Sequence, residues 1–265
     1  IPNSDGSGEI TKIGKGVDKK RLGQKVWVWN GQWQRPHGTA SQFIALPSEQ
    51  AILIPKTMSF ETGACLGIPG LTAAQCTLGD GSLKGKTILI SGGAGSVGNL
   101  SIQLAKWSGA RVIATGSSTG FDRIKNAGAD YVFGYSDPQL EQKILDISPS
   151  GIDRVIEVEF GNNINLFPKI MKPYSVLSVY GSAKNMVPIL PFGQYLYKGI
   201  KISIELIYIL PELPRLRAIK NLHDAHFDKA LKTGIDTIYD LSECAIAHDK
   251  SLTPGRAGAI LLNTN

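Results

Sequence analysis

The stretch Thr87-Ile-Leu-Ile-Ser-Gly-Gly-Ala-Gly-Ser-Val-Gly98 limits the possible folds of this chain more than any other. A short β-branched run leads into glycines at 92, 93, 95 and 98, and then into a periodic apolar segment. Glycine lets a strand-to-helix turn close tightly, lets backbone approach a pyrophosphate, and lets the helix pack near the sheet. The free N–H groups of a helix's first turn favour an anion. Gly93, Ala94, Gly95, Ser96, Val97 and Gly98 are therefore candidate phosphate-holding residues. The loop is not a Walker A motif, because no Gly-Lys-Ser/Thr ends it.

The residues that follow support this reading. Lys86–Ile90, Arg111–Thr115, Tyr131–Phe133, Asp153–Glu157 and Val176–Tyr180 read as strands. Between them, 97–107, 121–127, 139–147 and 164–171 read as helices. Strands regularly separated by helices predict a doubly wound parallel sheet covered on both faces. Lys201–Tyr208 is a further strand, Glu212–Lys232 a helix interrupted early by Pro214, Thr237–Tyr239 and Ala257–Leu262 strands, and Ser242–Ala247 a short helix. Upstream, Val26–Trp29 and Ala40–Leu46 read as strands in a turn-rich β unit. Trp27, Trp29 and Trp33 read there as core or edge packing, with a ligand-facing aromatic as the alternative.

The second strand of the helical region ends Thr115-Gly-Ser-Ser-Thr119, with no acid to bind a ribose 2′-hydroxyl. Ser117 and Ser118 could instead accommodate a 2′-phosphate, and the net charge of +6 favours an anionic ligand. NADP is thus expected over NAD. The charge is not gathered into a basic stripe, so a nucleic-acid partner is not expected. Cys65, Cys76 and Cys244 are odd in number and widely spaced, which points to a reducing, cytoplasmic setting. Apolar runs around 88–91 and 200–210 are too short and interrupted to span a membrane.

Taken with Ile1-Pro-Asn-Ser-Asp-Gly-Ser-Gly8, Gly38-Thr-Ala-Ser-Gln-Phe43 and Gly63-Ala-Cys-Leu-Gly-Ile-Pro69 followed by Leu71-Thr-Ala73, the glycine-rich loop is diagnostic. Over essentially its whole length the chain resembles the zinc-free quinone oxidoreductase (zeta-crystallin-like) branch of the medium-chain dehydrogenase/reductase family. The resemblance implies an α/β fold: a Rossmann-like domain over 69–209, and a GroES-like, partly β-barrel domain built from 1–68 and 210–265. It also implies a further stretch of roughly 50 to 60 residues ahead of Ile1, so that the start reads as an interior cut.

Zinc-dependent relatives have Gly-His-Glu where this chain has Asn3-Ser-Asp5, and cysteine where it has Ile68. Neither serine nor isoleucine is a useful zinc ligand, so no metal is expected. His223 and His226 read as a solvent-exposed pair on a polar helix face. By resemblance, Thr72 sits beside the nicotinamide and the backbone near Gly181 and Ser182 holds its carboxamide. Phe160, Gly161 and Asn162 line the cofactor channel, and Tyr135 flanks the adenosine phosphate. The lysine that the family carries on the loop after the second strand falls near Phe121 here, and Arg123 is the candidate substitute.

The implied activity is metal-independent hydride transfer from NADPH to a quinone, with Trp29, Trp33, His37 and Tyr208 as a candidate substrate wall. Other readings are an enone, alkenal or enoyl-thioester double-bond reductase, and a non-catalytic NADPH-binding structural or RNA-associated protein. The strand Lys201–Tyr208 resembles an edge strand that pairs across a two-fold axis, so a homodimer is expected.

Overall fold

The computed structural model describes residues 1–253 and 255–264. It divides into two compact units, one formed by Ile1–Leu71 with Leu222–Asn265 and the other by Thr72–Asn221.

The first unit begins with an antiparallel sheet of β1 (Gly6–Glu9), β2 (Lys25–Val28) and β3 (Ala51–Leu53). The expected strand at 40–46 does not form. Its start is tied to the amino terminus by Gly38, Thr39 and Ala40 N–H bonds to the carbonyls of Ile1, Asn3 and Pro2. The Ser41 hydroxyl bonds the carbonyls of Gly38 and Phe43, a local alternative to a sheet ladder. The third strand lies later, at Ala51–Leu53. Next come α1 (Phe60–Ala64), capped by the Ser59 side chain, and α2 (Ile68–Leu78).

The second unit is a six-stranded parallel sheet in the order β6-β5-β4-β7-β8-β9. In chain order its elements are β4 (Thr87–Ile90), α3 (Ser96–Trp107), β5 (Arg111–Gly116), α4 (Phe121–Asn126), β6 (Tyr131–Gly134), α5 (Leu140–Ile147) and β7 (Ile152–Glu157). They continue with α6 (Phe160–Asn163), α7 (Phe167–Ile170), β8 (Met171–Val179), α8 (Phe192–Lys198) and β9 (Lys201–Ile204). Alternate strand residues Leu89, Ile113, Val155, Leu177 and Val179 bury themselves with Ile144, Phe167 and Tyr195. Residues of the other parity, such as Ala114, lie near Ile102 of α3 and Ile124 of α4 at the glycine-rich turn. Helices therefore cover both faces, as a parallel sheet requires.

Two expectations change here. The helix read at 164–171 shrinks to α7 at Phe167–Ile170, because 164–166 form the turn after α6 and Met171 already belongs to β8. The strand read at Lys201–Tyr208 stops at Ile204, and Tyr208 sits in a 3₁₀ turn at Ile207–Ile209.

The remainder is α9 (Glu212–Phe227), β10 (Ile235–Asp240), α10 (Cys244–Leu252) and β11 (Ala259–Asn263), with β10 and β11 parallel. Pro214 lies in the first turn of α9, where a missing N–H costs nothing, so it does not interrupt the helix. The helix ends at Phe227, short of the expected Lys232, and Lys229 takes a left-handed φ of 58°. The helix read at 242–247 begins with a 3₁₀ turn at Leu241–Glu243 and runs on to Leu252. No helix among the described residues is long and apolar enough to cross a membrane.

Candidate functional site

In a parallel sheet the loops that leave the carboxyl ends of neighbouring strands gather at one edge, and ligands bind there. Here β5, β4, β7 and β8 are successive neighbours. Their loops hold the glycine-rich turn, Ser117–Gly120, Val158–Asn163 and Tyr180–Asn185.

The turn is fixed at both ends. Ser91 N–H bonds the Ile156 carbonyl at 2.9 Å, Gly93 N–H bonds the Thr115 carbonyl at 2.8 Å, and Gly95 N–H closes on Gly92 at 2.9 Å. Gly92 takes a φ of 68°, which an L side chain adopts only with strain. A Cβ on Gly98 would stand 2.3 Å from the Gly92 carbonyl oxygen, so α3 can approach the turn only with glycine there. Gly95 caps α3 without a side-chain hydrogen bond, and no acid stands in the first turn. The first intrahelical donor is Asn99, bonded to Gly95 at 2.9 Å. The amides of Ser96, Val97 and Gly98 therefore have no acceptor within the helix, beside a backbone that a Cβ would block. This is a cradle that fits a dinucleotide pyrophosphate.

Ser117 and Ser118 follow β5 and are exposed, with the Ser117 hydroxyl 3.0 Å from that of Thr119. Ala94 meets this loop, because a Cβ on Gly120 would lie 2.6 Å from the Ala94 Cβ. Arg123 is the third residue of α4, its carbonyl accepting from the Asn99 side-chain amide at 3.3 Å. Tyr135 follows β6, 58% exposed, with its N–H on the Gly116 carbonyl at 3.2 Å. Ser117, Ser118, Arg123 and Tyr135 thus belong to the same sheet edge as the turn.

The β7 and β8 loops are bonded together. Gly161 N–H bonds the Ser182 hydroxyl at 2.9 Å, and Phe160 N–H bonds the Gly181 carbonyl at 3.1 Å. Asn162 is exposed. The Phe160 ring stacks on Phe167 at 6.4 Å and packs against the core. Thr72 is buried within α2, past the positions where a cap could act.

Sequence reasoning overlooked Glu157, whose one signal was an acid ending the apolar run Val155-Ile156. Glu157 is fully buried. It accepts from the Ser91 hydroxyl at 2.5 Å, the Glu159 N–H at 2.5 Å and the Asn163 side-chain amide at 3.0 Å. Burial pushes its carboxyl pKa up against the pull of those three donors, and nearby Glu159 adds to the rise. The acid thus ties together the loops after β4 and β7 at the centre of the sheet edge.

In the other unit, Trp29 is buried with its indole N–H 3.4 Å from the Glu49 carbonyl, Trp33 is 37% exposed, and His37 is exposed. Tyr208 belongs to the unit of the six-stranded parallel sheet. The two histidines of α9 are not a solvent-facing pair. His223 Nε2 accepts from the fully buried Trp27 at 3.1 Å, and burial lowers its pKa. His226 Nε2 lies 3.3 Å from the Thr57 hydroxyl. Among the described residues no group of three or more His, Cys, Asp or Glu could hold a metal ion.

A family described as zinc-binding dehydrogenase matches residues 96–215. The chain is 30% identical over 186 residues to the synaptic vesicle membrane protein VAT-1 homolog of Homo sapiens, across 69% of this chain and 46% of that one. It therefore spans less than half the length of that relative. It is 28% identical to the chloroplast envelope quinone oxidoreductase homolog of Arabidopsis thaliana, over 99% of this chain and 79% of the other. Among solved structures, a mycobacterial protein complexed with NADPH superposes with a TM-score of 0.84 at 21% identity, covering 98% of this chain and 81% of that one. At that identity the likeness speaks for the fold alone.

Proposed function

This chain belongs to the medium-chain dehydrogenase/reductase family, in its quinone oxidoreductase and VAT-1 branch, and from that premise we propose that it is an NADPH-dependent reductase of quinones. The observation that carries the reading is the turn after β4, where the missing Cβ of Gly98 and the open first turn of α3 form a pyrophosphate cradle. Homology to proteins named quinone oxidoreductases supplies the reaction class.

In this reading Gly93 to Gly98 hold the pyrophosphate. Ser117, Ser118 and Arg123 receive the 2′-phosphate, Tyr135 flanks the adenosine, and Gly181 and Ser182 face the nicotinamide. A reduced nicotinamide, when bound, supplies a hydride. The protein's own contribution is to fix orientation through the bonded loops after β4, β7 and β8 and to keep that edge rigid. A quinone suits such a site because the charge it gains is delocalised onto oxygen, where a hydrogen-bond donor suffices.

A second copy of the chain is the proposed partner. Among the described residues the edge strand β9 pairs only with β8, and Ile204 is 78% exposed beside the exposed apolar residues Leu206 and Ile209.

The test is NADPH oxidation with 1,2- and 1,4-quinones and with 2-alkenals, with and without a chelator. Chelator-insensitive quinone turnover favouring NADPH over NADH is expected. Faster turnover of alkenals would move the assignment to double-bond reduction, and cofactor binding with no turnover would favour a binding role.

A further inference from the structure

The loop after β8 is held by a carboxylate that the proposed chemistry does not use. Glu159, two residues beyond β7, accepts the Ala183 N–H on Oε1 at 2.7 Å and the Lys184 N–H on Oε2 at 3.1 Å. One side chain thus takes two consecutive backbone donors with both oxygens. Bonds to an ionised acceptor are the stronger kind.

The backbone around it is equally committed. Glu159 forms a one-residue antiparallel bridge to Ser182. The Ser182 hydroxyl donates to the Asn185 carbonyl, and the Asn185 side-chain amide returns to the Gly161 carbonyl at 3.3 Å. Neither loop has slack: a Cβ on Gly161 would lie 2.1 Å from the Asn185 carbonyl, and one on Gly181 would lie 2.6 Å from that of Val158.

We propose that Glu159 is a positioning residue, which clamps the Gly181–Asn185 loop so that its backbone is preset for the nicotinamide end of the cofactor. The inference rests on the NADPH reading above. The clamp works by preorganisation: a loop already ordered pays no ordering entropy when the cofactor arrives. Glu159→Gln keeps size and one acceptor but turns an NH₂ toward the second N–H, so it breaks the two-point clamp. Glu159→Asp keeps both acceptors on a shorter stem.

The experiment measures binding of NADPH and of 2′-phospho-ADP-ribose, which lacks the nicotinamide, to the unaltered protein and both variants. In Glu159→Gln, NADPH should bind about tenfold more weakly, the loss expected for bonds to a charged group, while the fragment binds as before. Glu159→Asp should recover part of the loss. Equal weakening of both ligands, or no weakening of NADPH, overturns the inference. If the unaltered protein binds neither ligand, the cofactor reading fails and this inference falls with it. Amide hydrogen exchange of the unaltered protein is a second measure that needs no variant. The Ala183 and Lys184 amides should be protected, and exchange at free-loop rates would overturn the clamp.

Discussion

At the scale of single residues, space and burial decide what each position tolerates. Gly98→Ala would place a methyl 2.3 Å from the Gly92 carbonyl oxygen. Thermal unfolding should show a loss of about 1–3 kcal/mol, the cost of overpacking a tight contact. NADPH affinity should fall by about tenfold or more as α3 is pushed from the turn, because each 1.4 kcal/mol is a factor of ten. An unchanged affinity would remove the turn from the site. Asp5 gives a pH-dependent prediction. Its carboxylate takes the Ile68 N–H at 2.8 Å, in a niche left by Gly67, and burial raises its pKa to about 7. The folded state holds that proton more tightly than the unfolded chain does. The resulting stability is full below about pH 4 and is lost as pH rises through about 7. The unfolding midpoint should therefore fall over that window, and Asp5→Asn, which keeps the acceptor without the charge, should flatten the fall. An unaltered slope in Asp5→Asn would contradict the assignment. The sequence showed the glycines of the turn because their spacing is local. It did not show Glu157 or Glu159, whose partners come from other strands' loops.

At the scale of elements, the parallel sheet was legible because its central strands carry short buried apolar runs, as in Ile88–Ile90, Val112–Ala114 and Val155–Ile156. Regions governed by side-chain-to-backbone bonds were not. The residues at 40–46 read as a strand from their aromatic and β-branched content, yet the contacts of Ser41 and of the amino terminus override that reading. The edge strand β9 carries the element-scale prediction. Ile204→Lys puts a charge on an exposed edge residue, a common way to block strand pairing. In sedimentation the unaltered protein should run as a dimer and the variant as a monomer at the same concentration. A monomer in both cases would dismiss the edge as an interface.

At the scale of the whole molecule, the protein combines an open helix start after β4, a net charge of +6 and a hydroxyl-lined loop without an acid after β5. The first two favour an anionic ligand, and the third is the feature proposed to admit a 2′-phosphate. In the proposed reading the reaction class comes from the family and the cofactor lies at the turn after β4, and the choice of acceptor is left to experiment. The most direct test is a titration of the purified protein with NADPH and with NADH, followed by nicotinamide fluorescence. Saturable binding of one NADPH per chain, tighter than that of NADH, is the expected result. Absence of saturable binding, or a clear preference for NADH, would contradict it.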